Sequence, residues 1–171
     1  MTGAHWHLVL NHIPVIGTFF VLLFLVIGLL RKRDFVKKIS LWILLLLALI
    51  TLPVYFTGES AHEELEDMPL VSMNTIHEHE EAAELAFAGE LIIGGLVILY
   101  FLFNIFKSKL VKPIFIIILI LTFATAGLMA WTANLGGKIR RPELRGETVS
   151  PSYEKYYDIE KEAEPEEPHE H

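Results

Sequence analysis

Six histidines carry the first chemical signal in this chain: His5, His7, His12, His62, His77 and His79. Each lies at one end of an apolar segment or just beyond it, and the segments place all six on the same side. Imidazole nitrogen ligates heme iron, zinc and non-heme iron, and it also changes charge near neutral pH. Acidic residues keep them company: Glu59 in "TGESAHE", Glu81 and Glu84 in "HEHEEAAE", and Glu90 well inside an apolar run. A carboxylate at such a position is costly unless it is paired, hydrated or protonated. The chain has no cysteine, which excludes thiolate metal sites, iron–sulfur clusters and heme attached through CxxCH. It also lacks a GxSxG elbow, a Walker A loop and a dinucleotide fingerprint, so an ordinary hydrolase or nucleotide enzyme is not indicated.

The elements that must position these residues are membrane spans. Of the 171 residues, 53% are hydrophobic and the mean hydropathy is +0.45, beyond the range of an ordinary soluble domain. Four runs, residues 8–30, 40–57, 82–106 and 113–133, are each long enough to cross ~30 Å of hydrocarbon as a helix. Two short loops join them, so the expected fold is an all-α, four-transmembrane-helix antiparallel bundle over residues 1–146. The basic cluster follows the first run instead of preceding it, the reverse of a cleavable signal, so that run is expected to be retained. Residues 147–171, rich in Glu and Pro, are expected to form a disordered acidic tail whose His169 and His171 are merely solvated.

Loop charge gives an orientation. Arg31, Lys32, Arg33, Lys37 and Lys38 fill the first loop, and Lys107, Lys109 and Lys112 the third. The second loop, residues 58–81, has no Lys or Arg and eight acidic residues. By the positive-inside rule loops one and three are cytoplasmic, and both termini, the second loop and all six histidines face outward. Lys138, Arg140, Arg141 and Arg145 count against this, four basic positions against eight.

Depth and helical phase narrow the candidates. Counting ~1.5 Å per residue from the cytoplasmic ends sets His12, Glu59, Glu90 and Asn134 near one boundary, with His7, His62 and His79 one to two turns farther out. His5 and His12 would share a helix face while His7 points away. His79, Ala83, Ala86, Glu90 and Gly94 form a stripe that leaves room for a flat cofactor or, equally, for a close neighbouring helix. His77 and Glu81 are one turn apart, but the second His of a zinc-protease motif is missing. A solvated acidic helix start accounts for that stretch about as well. His12 is the expected partner of Glu90.

Local signals suggest where the helices stop. Asn11 reads as an N-cap with Pro14 in the first turn, Gly58 as a break after the second span, and Gly136-Gly137 as the end of the fourth. Arg140 and Arg141 would then stand opposite the acidic loop, able to pair with it or with heme propionates.

The stretches "HLVLNHIPVIG", "TGESAHE", "HEHEEAAE" and "GGKIRRPE" together resemble a family of small four-span bacterial membrane proteins, over about residues 5–143. In outline these resemble the four-helix membrane cytochromes b with bis-histidine heme. That likeness implies an electron-transfer subunit of the bacterial inner membrane holding heme b, with a c-type cytochrome or respiratory complex subunits as partners. Because the histidines stand at the helix ends, one heme near the outer face is expected, not two stacked ones. His12, His62 and His79 are the leading axial candidates, with His5 and His7 behind them and Arg140 and Arg141 near the propionates. Two other readings stay open: an iron or zinc site built from His12, His62, His77, His79, Glu59 and Glu90, and a cofactor-free accessory subunit.

Overall fold

A computed structural model of the chain describes residues 3–66, 68 and 71–147. The acidic tail lies outside the described residues from position 148 onward. Among the described residues every regular element is helical: α1 Gly3–Leu10, α2 His12–Leu30, α3 Asp34–Glu66, α4 Met73–Ile105, α5 Val111–Lys138 and the short α6 Pro142–Arg145. Four helices are long and apolar enough to cross a membrane: His5–Leu30, Asp34–Leu65, Met73–Ile105 and Val111–Lys138.

These spans overrun the expected bounds, mainly at the end that carries the histidines. Helices α3 and α4 have 33 residues each, about 50 Å at ~1.5 Å per residue, against ~30 Å of hydrocarbon. Most of the expected second loop is therefore helix. Hydropathy marks only the part of a helix that suits lipid. Backbone hydrogen bonding continues through Glu, His and Ala wherever a neighbouring helix supports it. Ser72 starts α4, its Oγ accepting from the Thr75 backbone N–H at 3.3 Å and from Thr75 Oγ1 at 2.9 Å.

The long helices close a ring, α2 on α3, α3 on α4, α4 on α5 and α5 back on α2, while α1 lies against α3. Its two halves are packed differently. Toward the basic loops the interior is filled by Val21, Leu25, Leu41, Leu44, Leu47, Ile93, Val97, Tyr100, Phe115 and Ile118. Toward the histidines many of the buried residues are small or polar, among them Pro14, Thr18, Thr51, Ala61, Ala82, Ala86, Glu90, Thr125, Ala126 and Thr132, alongside the larger Val54, Ile76, Met129 and Leu135. With no hydrophobic force between helices in lipid, contact depends on close approach at small residues. Gly94 supplies one such contact, since a β carbon there would stand 2.9 Å from the Ala48 methyl. That end of the alanine stripe is helix packing.

Gly58 is not a helix stop, since it lies inside α3. Gly136 and Gly137 fall in the last turn of α5, which ends at Lys138. Asn11 does not cap α2 through its side chain. Its backbone is right-handed helical and it makes no side-chain cap bond. Asn11 N–H donates to His7 O at 2.9 Å and Val15 N–H to Asn11 O at 3.3 Å. The chain thus passes from α1 to α2 with a local interruption ahead of Pro14, which has no N–H to donate.

Candidate functional site

Among the described residues His7, His62 and His79 are the half-buried histidines, and two of them, His7 and His79, bond a carbonyl of a neighbouring helix. His7, half-buried, leaves α1 and sets Nδ1 3.0 Å from the Val54 carbonyl of α3. His79, also half-buried, leaves α4 and sets Nδ1 2.9 Å from the Thr132 carbonyl of α5. A carbonyl only accepts, so in each ring Nδ1 carries the proton and Nε2, on the far edge, keeps its lone pair. The two rings lie within electrostatic reach of each other. A bond of this kind from one ring nitrogen is what fixes the orientation of an imidazole that ligates through the other.

A glycine stands beside each of these rings. A helical Cα–Cβ bond tilts toward the N-terminus, so the side chain at position i+4 covers the carbonyl of position i. Val54 is followed four residues later by Gly58, and Thr132 by Gly136. A β carbon at Gly58 would lie 3.4 Å from His7 Cε1, and one at Gly136 would lie 3.2 Å from His79 Cε1. Each imidazole thus occupies the space of an absent side chain and reaches the carbonyl beneath it. The same device occurs twice, on different helix pairs.

Register ties this pair to the buried carboxyl. Thr18 follows His7 by eleven residues and Glu90 follows His79 by eleven. Eleven residues is three turns within about 20°, or about 16 Å of rise. The Thr18 hydroxyl donates to Glu90 Oε1 at 2.7 Å across the bundle, and both side chains are fully buried. Glu90 Oε2 has no hydrogen-bond partner. His12 is therefore not the partner of Glu90. It is exposed, and its Nδ1 donates to Leu8 O at 2.8 Å, one turn earlier in its own helix. Glu90 also lies deeper than His12 and Asn134, at the level of Thr18 and of Thr125, which packs against Gly89.

The remaining candidates form an outer group. His62 Nδ1 of α3 meets Glu80 Oε1 of α4 at 2.5 Å, and His77 Nδ1 lies 3.5 Å from Glu80 Oε2, with the two rings 6.0 Å apart. Glu80, not Glu81, answers His77, because three residues bring it to the side facing α3 while Glu81 turns to solvent. Tyr55 joins the same two helices, stacking on Phe87 at 4.3 Å and donating to Glu84 Oε1 at 3.3 Å. His5 and Glu59 are exposed. Arg140 and Arg141 are exposed and, among the described residues, make no ion pair with the acidic segment. Arg145 instead caps α5, donating to Lys138 O at 2.7 Å and Ile139 O at 2.9 Å while holding Glu147 at 2.8 Å. Among the described residues no group of three or more His, Asp or Glu is arranged to hold a metal ion.

Thr18, Glu80, Gly58, Gly136 and Thr132 were not among the expected site residues. The eleven-residue register and the glycine four places after each accepting residue were visible in the sequence. Which carbonyl each imidazole reaches was not. Fold and site together define a helical bundle whose four long helices are apolar enough to cross a membrane, with two histidines at one end each bonded to a neighbouring helix's carbonyl. Comparison with family models, curated proteins and solved structures finds no match to this chain.

Proposed function

We propose that this chain is an electron-transfer subunit of a bacterial inner membrane, holding one b-type heme near the periplasmic face between His7 and His79. The observation that carries the reading is the matched pair: two imidazoles from different helices, each locked by a carbonyl into the tautomer that leaves Nε2 free. His7 and His79 would hold heme iron through imidazole nitrogen, and the heme would supply one-electron transfer. Buried Ala82 and Ala86 on α4, between His79 and Glu90, are consistent with a flat group there, and Arg140 and Arg141 are free to meet its carboxylates. Lys and Arg in the two loops at the opposite end support placing the histidine end outside. Exposed Glu59, Glu63, Glu78, Glu81 and Glu84 at that end would steer a basic soluble partner such as a c-type cytochrome.

The test is a reduced-minus-oxidised visible spectrum of protein purified from heme-replete cells, with pyridine hemochrome quantification. About one heme per chain is expected, lost in His7→Ala and His79→Ala and kept in His12→Ala and His62→Ala. A flat wild-type spectrum rejects the heme. Heme retained in both His7→Ala and His79→Ala rejects the pair.

A further inference from the structure

We infer that Glu90 is a proton-binding site opening only toward the histidine end, its Oε2 completed by an internal water molecule. The inference does not depend on heme, because it rests on the carboxyl and its surroundings alone.

The surroundings offer no countercharge. From α2 the buried neighbours at this level are Pro14, Thr18 and Val21, from α3 Leu47, Ala48 and Thr51, and from α5 Thr122, Thr125 and Ala126. None is titratable, and no charged group among the described residues acts on Glu90. An ionised carboxylate there would have one hydrogen bond, from Thr18, and no cation, an arrangement that membrane interiors do not tolerate. The neutral form is favoured, yet it leaves its own gap. With Oε1 accepting from Thr18, the acid proton belongs on Oε2, and Oε2 has no protein partner.

Water answers that gap, because it can accept from a protonated Oε2 and donate onward. Internal waters sit where polar atoms lack partners and usually make about three hydrogen bonds. Thr51 and Thr122 already donate, to Leu47 O at 2.8 Å and Ile118 O at 2.7 Å, so each keeps oxygen lone pairs for a water. Ala48 touches Gly94 and Thr125 touches Gly89, which sets both threonines within about a turn of Glu90.

Access is one-sided for a packing reason. Below Glu90 the axis is closed by Leu25, Leu41, Leu44, Ile93 and Ile118, none of which exposes any surface. Above it the buried positions are Ala82 and Ala86 of α4 and Met129 of α5, two small side chains and one flexible thioether in place of branched aliphatics, followed by His79. Protons therefore exchange with the histidine side, and the bundle stores a proton without conducting one across.

Infrared difference spectroscopy of the full chain in detergent or lipid reads this directly. At neutral pH the wild type should show one C=O stretch of a protonated carboxyl that Glu90→Gln lacks. That band should shift within minutes of transfer to D2O. No band lost in folded Glu90→Gln overturns the protonated state, and a band unshifted after hours in D2O overturns the water and the opening. If Glu90→Gln does not fold, Thr18→Val replaces it. Loss of the Thr18 donor must move the band to higher frequency, and an unmoved band overturns the assignment.

Discussion

Replacing the two glycines by alanine and then by leucine separates helix stability from histidine placement. In a helix interior Gly→Ala is worth about 1 kcal/mol of propensity. At Gly58 the new methyl would stand 3.4 Å from His7 Cε1 and 3.6 Å from Nδ1, ordinary contact, so Gly58→Ala keeps the gain. For a chain of this size that is a rise in Tm of about 2–4 °C. At Gly136 the distances to His79 are 3.2 Å and 3.4 Å. The ring must retreat by a few tenths of an ångström, stretching a 2.9 Å bond to Thr132 O whose net worth is about 0.5–1.5 kcal/mol. Gain and loss cancel, and Tm should barely move. Leucine has nearly the helix propensity of alanine but fills the imidazole's place. Gly58→Leu and Gly136→Leu should therefore keep their helical circular dichroism while losing the heme spectrum proposed above. Thermal unfolding in detergent and the visible spectrum, measured on all four variants, form the assay. A leucine variant with an undisturbed heme spectrum, or Gly58→Ala less stable than wild type by more than ~1 kcal/mol, would refute the reasoning.

Three further outcomes follow from individual contacts. Thr18→Val leaves Glu90 Oε1 buried without its donor and should destabilise by about 1–3 kcal/mol, whereas Thr18→Val with Glu90→Leu should be close to neutral; strictly additive effects in a double-mutant cycle would deny the contact. Glu80→Ala removes the only group that touches both His62 and His77 among the described residues, so amide exchange should quicken over residues 59–66 and stay unchanged near Leu41–Leu44. Arg145 holds the Glu147 carboxyl below the ordinary carboxylate range, so this clamp is fully present above the unfolded value of ~4.3 and is lost as pH falls through the lower folded value. Amides 138–146, corrected for intrinsic rates, should therefore lose protection only in acid, while Glu147→Gln should expose them at every pH.

Much of the bundle was legible from hydropathy because lipid imposes an uncompromising requirement: a span must be apolar and must satisfy its own backbone. The same requirement hid the helix ends. Glu, His and Ala beyond the lipid look like loop by hydropathy, yet they continue α3 to Glu66 and begin α4 at Met73. Glu90 could be recognised as costly from its apolar neighbours, but its partner could not. Thr18 is an unremarkable residue in sequence, and only the closing of α2 and α4 around one axis brings its hydroxyl to the carboxyl. Residue counting sets His12 at the depth of Glu90, but its ring turns back onto Leu8 O in its own helix.

Gly58 shows why a helix-breaker reading fails inside a packed helix. With Gly136 in the last turn of α5, the two glycines cost at most about 2 kcal/mol of helix propensity. The two imidazole–carbonyl bonds that they admit return about 1 kcal/mol each. Stability alone leaves this arrangement near zero, so it gives no reason for the same construction to occur in both α3 and α5. Orientation does leave a remainder. After the cancellation the fold holds two half-buried rings, each with its proton on the side facing a carbonyl and a bare nitrogen on the other. A half-buried imidazole gains stability by satisfying its N–H on a carbonyl, and the edge that carries Nε2 is left to meet water or a ligand. The His7–Gly58 and His79–Gly136 pairs, more than the outer group around Glu80, are therefore where the heme proposed above is tested first.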